Sequence, residues 1–340
     1  MAAKFNPDFS HTAVFTDIHY GMRNNSREHN DWCENFIKWM ITECEKRQIK
    51  TCIFGGDWHH VRSAINVSTL NYSVRGLKLL NDYFDHTVFI IGNHDLFYRD
   101  KYEIHSLPYI TQFPKIHTVD RMCEINDVAF VPWLVADDWK KVPNLKSPYM
   151  FGHFELPRFK MNAMVEMPDH GLLNATHFVH QKQVFSGHFH MRQKQTNIHY
   201  IGNAFPHNYA DTWDDERGMM ILEWGKEPEY KAWTDQPRYR VFQLSDVVKN
   251  FPQIAYVPNH TSNTLTEIDI KTRKVIATYK MKAGPQHVVP SWDLKTLWVN
   301  NNEGNYLTPI NPANGKPGKP VYVHDPYNLY FTPNGKYAIV

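Results

Sequence analysis

Thiols are scarce in this chain: its 340 residues include four cysteines, Cys33, Cys44, Cys52 and Cys123, with no close pairing among them. That argues against a disulfide framework or a cysteine–zinc cluster and fits a reducing, cytoplasmic setting. Long apolar runs are also lacking. No stretch approaches the roughly 18 residues of a membrane span, and the opening residues show no apolar signal region. Charge of one sign is missing too. Against 37 Lys and Arg stand 35 Asp and Glu, a net of +2, so a strongly basic nucleic-acid footprint is absent. What remains is a 42% hydrophobic share, enough for a sizeable core, and 20 histidines. Most of those histidines precede residue 251.

The length suggests two domains. Residues 11–250 alternate between strand-like and helix-like patterns. Apolar runs at Ala13–Thr16, Cys52–Phe54, Val88–Ile91, Tyr149–Phe151 and Val184–Phe185 have strand character. Between the first two, Cys33, Phe36, Ile37, Met40, Ile41 and Cys44 recur at helical spacing, and a second helix is expected over Val67–Tyr83. Such alternation predicts an α/β sheet with helices packed on it. From Tyr200 to Trp233 the pattern turns more β-like, and Gly218–Trp224 is its clearest strand.

Composition shifts near Asn250–Phe251, where Pro, Asn, Thr and Gly become frequent. An internal repeat appears there. Tyr256-Val-Pro-Asn259 returns as Trp298-Val-Asn-Asn301, and Leu265-Thr-Glu-Ile268 as Leu307-Thr-Pro-Ile310. A period of about 42 residues with several short strands per unit is the signature of propeller blades. The repeat resembles YVTN-type β-propeller units. Residues 251–340 hold about two of them, short of the roughly four to eight that close a propeller, so a truncated or fused segment is expected.

Five strand-like runs end in small or polar residues followed by candidate ligands: Thr16-Asp17-Ile18-His19, Gly56-Asp57-Trp58-His59-His60, Gly92-Asn93-His94-Asp95, Gly152-His153 and Gly187-His188-Phe189-His190. Singly, each has an ordinary explanation as a helix cap, a turn or a surface histidine. Together they are ligands at the carboxyl ends of several strands, which converge on one crevice in α/β sheets. The i, i+2 spacing of Asp17 with His19, and of His188 with His190, is expected to put each pair on one side of an extended segment. Carboxylate, imidazole and one amide, without thiolate, suit two divalent ions such as Mn²⁺ or Fe²⁺ better than structural zinc.

The order DxH, GDxxH, GNHD, GH, GHxH resembles the calcineurin-like metallophosphoesterase superfamily. Gly55-Gly-Asp-Trp-His-His60 and Ile91-Gly-Asn-His-Asp-Leu-Phe-Tyr98 resemble its SbcD-type DNA-repair nucleases. Gly152-His-Phe-Glu-Leu156, Ser186-Gly-His-Phe-His190, Tyr200-Ile-Gly202 and Arg217-Gly218 look most like phage recombination endonuclease subunits. The resemblance covers about residues 11–245. It implies a two-sheet sandwich flanked by helices over residues 1–250. It implies that Asp17, His19 and His190 bind one metal, that Asn93, His153 and His188 bind the other, and that Asp57 bridges them. Mn²⁺ is the expected metal, with Fe²⁺ or Mg²⁺ as alternatives.

Under the same resemblance His94 is the catalytic acid, with Asp95 orienting its ring, and His60 is a second phosphate-side histidine. His59 is expected to face solvent. Tyr20, Arg23, Arg27, Tyr98 and Arg99 flank the motifs and are candidate DNA contacts. The implied activity is a metal-dependent DNA endo/exonuclease of recombination and repair. The alternatives are another phosphoesterase, acting on phosphoproteins, cyclic nucleotides or small phosphate esters, and an inactive interaction scaffold. DNA is the expected partner, and a homodimer is possible. An SbcC-type ABC ATPase is implied, although after Tyr239-Arg-Val-Phe-Gln-Leu-Ser245 the repeat stands where the family's docking helix belongs.

Overall fold

The computed structural model describes residues 5–161, 165–241, 253–332 and 335–340. The chain divides into two compact units, Met1–Val241 and Phe242–Val340. The composition shift at Asn250–Phe251, and residues 242–245 of the segment that begins at Tyr239, lie outside the described residues.

In the first unit the strands are β1 (His11–Phe15), β2 (Thr51–Phe54), β3 (His86–Ile90), β4 (Ile116–Val119), β5 (Cys123–Ile125) and β6 (Val128–Val131). They continue as β7 (Tyr149–His153), β8 (Gln183–Gly187), β9 (Gln193–Gln195), β10 (Ile198–Tyr200), β11 (Gly218–Glu223) and β12 (Glu229–Ala232). They form two six-stranded sheets, ordered β12-β11-β1-β2-β3-β4 and β5-β6-β7-β8-β10-β9. Strands β1 to β4 pair in parallel, as do β6, β7, β8 and β10, while the remaining strands pair antiparallel at the edges. The fold is the mixed α/β, two-sheet sandwich that the resemblance implies.

Both faces of the central strands are covered, which is why they read as unbroken apolar runs rather than alternating ones. Val14, Ile53, Val88 and Ile90 of the first sheet share one core with Phe130, Phe151 and Phe185 of the second. On the outer side of the first sheet lie α1 (Arg27–Lys46) and α2 (Val67–Tyr83). Ser26 caps α1 by accepting from His29 N, and Asn66 caps α2 by accepting from Ser68 N at 2.9 Å. Such caps satisfy amides that the first turn leaves unpaired. Phe36, Ile37 and Met40 of α1 and Leu77 and Leu80 of α2 meet Phe15, Phe54 and Phe89 in a second core.

The second unit consists of antiparallel ladders. β13 (Ile254–Asn259), β14 (Thr264–Asp269) and β15 (Lys274–Lys280) form one sheet. β16 (Pro285–Pro290), β17 (Leu297–Asn301), β18 (Tyr306–Ile310) and β19 (Val321–Tyr322) form another. β20 (Tyr330–Phe331) and β21 (Ala338–Ile339) make a two-stranded ladder. The sequence repeat has a structural counterpart: Asn259 Nδ2 donates to Thr266 Oγ1 at 2.8 Å, and Asn301 Nδ2 donates to Thr308 Oγ1 at 3.0 Å. The same side-chain bond thus crosses between adjacent strands in both sheets.

Candidate metal centre

Every candidate ligand follows the carboxyl end of a strand or closes it. Asp17 and His19 come after β1, Asp57 after β2, and Asn93 and His94 after β3. His153 is the last residue of β7, and His188 and His190 come just after β8. The two sheets therefore deliver ligands from both sides to one place.

The local backbone is not the extended segment that the i, i+2 spacing suggests. Asp17, His19, Asp57 and His188 all have positive φ, at 51°, 52°, 62° and 85°. Left-handed backbone is costly for residues with a Cβ and persists only where surrounding structure holds it, commonly at functional sites. Asp17 and His19 meet because the chain turns sharply at each. Glycine makes the closeness possible: a Cβ on Gly92 would strike Asp57 Oδ1, and one on Gly187 would strike Thr16 Oγ1.

Three subsets of contacts define the centre. Asp17 Oδ1 lies 3.8 Å from both His19 Nε2 and His190 Nε2. Asn93 Oδ1 lies 3.0 Å from His153 Nε2 and 2.8 Å from His188 Nδ1. Asp57 Oδ2 stands between the subsets, 3.7 Å from His19 Nε2 and 3.4 Å from His153 Nε2. The structure thus brings together all seven residues that the sequence nominates as ligands.

These residues fit a cation on physical grounds. Asp17 Oδ1 and His19 Nε2 are buried without hydrogen-bond partners, a costly state for polar atoms. His153 Nδ1 faces the carbonyl of Gly55 at 2.8 Å. Since a carbonyl only accepts, Nδ1 carries the proton, and in the neutral ring Nε2 turns a lone pair toward Asp57 and Asn93 oxygens. Lone pairs converging on one another call for positive charge between them. Without a metal, a proton supplies it. Burial opposes charge on His153, but Asp57 pushes its pKa up to about 9. Burial likewise opposes ionisation of Asp57, yet His153 and His19 hold its carboxyl well below the usual range. Oxygen and imidazole donors without thiolate suit borderline divalent ions.

His94 lies beside this centre. Its backbone N–H donates to Asp57 Oδ1 at 2.8 Å, and its Nδ1 faces the carbonyl of His60 at 2.6 Å. Burial lowers its pKa, and Asp57 works in the opposite direction. Asp95 does not orient the His94 ring as expected. Its carboxylate accepts backbone N–H bonds from Asp57, Trp58 and Gly92, each at 2.9 Å, and from His59 at 3.3 Å. Asp95 thereby ties the β2 loop to the β3 loop. The His60 ring approaches His19, Nδ1 to Nδ1 at 3.4 Å, and burial, then His19, lower its pKa to about 4.

Other expectations are corrected. His59 is buried, not solvent-facing, and bonds Ser73, Ser106 and Tyr109. Tyr20 is also buried and is no surface for DNA. Arg23 is tied to the carbonyl of His207. Arg27, Tyr98 and Arg99 remain exposed. Sequence reasoning missed two residues. Arg62 is partly buried, and burial, then Arg99, lower its pKa while Asp57 and Asp95 act in the opposite direction. His207 packs its ring against His19 and His190. Neither belongs to a recognisable motif. A cavity of about 120 Å³ opens beside His153, lined by Trp133, Trp139, Phe154, Glu155 and Leu173.

No family model matches the chain. It is similar to exonuclease subunit 1 of Enterobacteria phage T4, 24% identical over 279 residues that cover 77% of this chain and 81% of that protein. Among solved structures it is similar to Pseudomonas putida nuclease MPE, with 16% identity, 67% of this chain and 80% of that one covered, and a TM-score of 0.31. It is also similar to Yfce, a phosphoesterase from E. coli, with 10% identity, 80% and 99% covered, and a TM-score of 0.29. No described helix is long and apolar enough to cross a membrane.

Proposed function

We propose that this protein is a metal-dependent DNA endo/exonuclease of recombination and repair, holding two divalent cations, Mn²⁺ foremost. The observation that carries this reading is the position of Asp57 Oδ2, within 3.7 Å of His19 Nε2 and 3.4 Å of His153 Nε2. One carboxylate oxygen serves both ligand sets. Asp17, His19 and His190 would hold one ion, and Asn93, His153 and His188 the other, with Asp57 shared. When bound, such a pair lowers the pKa of an attacking water and neutralises charge on a phosphoryl group.

The remaining residues divide the other work. His94 is placed to give a proton to the departing sugar oxygen, because its Nδ1 is committed to the His60 carbonyl and only Nε2 is left for exchange. Arg62 and Arg99 give this side of the centre cationic groups suited to a phosphodiester backbone. The likeness to a phage exonuclease subunit supports DNA as the substrate, a partner subunit in the working complex and a cytoplasmic site of action.

The test incubates the full-length chain with single-stranded DNA, duplex DNA and a small aryl phosphate in Mn²⁺ buffer, beside an Asp57→Ala control. Cleavage of DNA by the wild type alone is the expected result. Turnover of the aryl phosphate without DNA cleavage would replace this reading with a small-ester phosphoesterase, and no turnover by metal-loaded protein would favour the scaffold.

A further inference from the structure

Resting on the two-cation reading above, we propose that His207 is an additional protein ligand to the cation held by Asp17, His19 and His190. Its side chain is fully buried, and neither Nδ1 nor Nε2 has a hydrogen-bond partner. A buried imidazole must hold a proton on at least one nitrogen, and leaving both nitrogens unbonded is expensive. Among the described residues none offers either nitrogen a partner within hydrogen-bond distance. Its ring neighbours are His19, His29, His190 and Phe205. His29 directs its own Nε2 at the His19 carbonyl, 3.0 Å away.

The geometry points to a shared ion. The His207 ring stands 5.4 Å from that of His19 at 89° and 5.3 Å from that of His190 at 82°. One nitrogen from each of the three rings lies within 4.8 Å of the other two. Imidazole nitrogens bind Zn²⁺ at about 2.0–2.1 Å, so three donors around one divalent ion of comparable size need only a small inward adjustment from these positions.

The backbone of His207 is held on both sides. Its N–H donates to Asp211 Oδ2 at 2.8 Å, and its carbonyl accepts from Arg23 Nη2 and from the Tyr239 hydroxyl, each at 3.0 Å. Arg23 reaches it from a run of left-handed residues, Arg23, Asn24 and Asn25, at φ 56°, 55° and 61°. Its guanidinium also lies over the rings of Trp32 and Tyr239. Left-handed backbone, sterically disfavoured for residues with a Cβ, is thus coupled to fixing one imidazole.

The consequence is two unlike sites. The first has three imidazoles beside Asp17 and the shared Asp57, whereas the second has two imidazoles, the Asn93 amide oxygen and Asp57. A nitrogen-rich site favours Co²⁺ over Mn²⁺ more strongly than an oxygen-rich one does.

The experiment uses the metal-stripped full chain and His207→Phe, titrated calorimetrically with Mn²⁺ and with Co²⁺, together with visible spectra of the Co²⁺ forms. The wild type is expected to take up two ions with distinct affinities. His207→Phe should weaken one of them by about 100-fold, since even outer-shell partners of a metal site are worth about 10- to 100-fold. It should change the Co²⁺ spectrum and leave the metal-free melting temperature unchanged or raised. Wild-type affinities and spectrum in the variant would overturn the assignment of His207 alone. Should the variant not fold, counting nitrogen couplings by pulsed EPR on the wild type decides: three imidazoles at one ion supports the proposal, and two at each overturns it. A wild type that binds neither metal would overturn the two-cation reading and this inference with it.

Discussion

The Nδ1–H of His94 donates to the carbonyl oxygen of His60 at 2.6 Å, and the two rings stack with centroids 5.4 Å apart and planes 13° from parallel. A residue of the β2 loop therefore sets the tautomer of the candidate acid on the β3 loop. His60 acts on His94 through both its backbone and its ring.

Replacing His94 with Ala should spare folding and metal uptake, because its side chain is not among the seven ligand candidates. Turnover of DNA should fall by about 10²- to 10⁴-fold, the usual contribution of a positioned acid or base. Comparing kcat with calorimetric Mn²⁺ affinity checks this; an unchanged kcat would remove His94 from its assigned role.

Asp57→Asn removes the charge shared by both ligand sets. In wild-type protein, Mn²⁺ at about 100 times its Kd should stabilise the fold by about 2.7 kcal/mol per site. Thermal denaturation with Mn²⁺ and with EDTA should show that gain largely lost in the variant. Retention of the full metal-dependent shift would show that Asp57 bridges nothing.

Asp95→Asn keeps the shape of a side chain that accepts four backbone N–H bonds but leaves it one acceptor oxygen. Buried donors left unpaired cost about 1–3 kcal/mol each, so a loss of about 2 kcal/mol or more is expected in urea denaturation. Activity should fall as well, since the loops carrying Asp57 and Asn93 lose their tie.

In metal-free protein the pKa of His153 is raised to about 9 from an ordinary 6.5. A group whose folded pKa is raised stabilises the fold fully below its unfolded pKa and progressively less as pH climbs through its folded one. The EDTA-treated protein should therefore lose this contribution between about pH 6.5 and pH 9. Metal must displace the same proton, so Mn²⁺ affinity should rise across pH 6.5 to 8.5. Calorimetry in buffers of different ionisation enthalpy would count the proton released; a release of none would contradict the charged state of His153.

Asn301 is fully buried, and its Nδ2 donates to the carbonyls of Val299 and Tyr306 as well as to Thr308 Oγ1. Its repeat counterpart Asn259 is only partly buried and bonds Thr264 and Thr266. Asn301→Ala should cost about 1–3 kcal/mol, chiefly by stranding buried acceptors, and Asn259→Ala less. Hydrogen exchange across β17 and β18 for the first variant, and across β13 and β14 for the second, would show the difference.

Much of the architecture was legible from residue order. The apolar runs of β1, β2, β3, β7 and β8 stand out because both faces of a sandwiched sheet are covered, and α2 falls on the expected Val67–Tyr83. Each of the seven ligand candidates follows or closes such a run, and the resemblance to a known family singled them out from the other polar residues there. The short strands β9 and β10 escaped notice, being three residues each and too brief for periodicity to register.

By itself, the sequence determined the sheet-forming runs, the helical faces and the placing of Asp, Asn and His at strand ends, since these depend on spacing along the chain. Tertiary structure alone decided how those residues are used. The positive φ of Asp17, His19, Asp57 and His188 is imposed by neighbouring loops, not by local preference. Asp95 became a tie between loops because four amides from two of them converge on its carboxylate. His207, outside every ligand motif, reached His19 and His190 because the chain after β10 folds back over the end of β1, a proximity that depends on long-range packing and leaves no periodic trace in residue order.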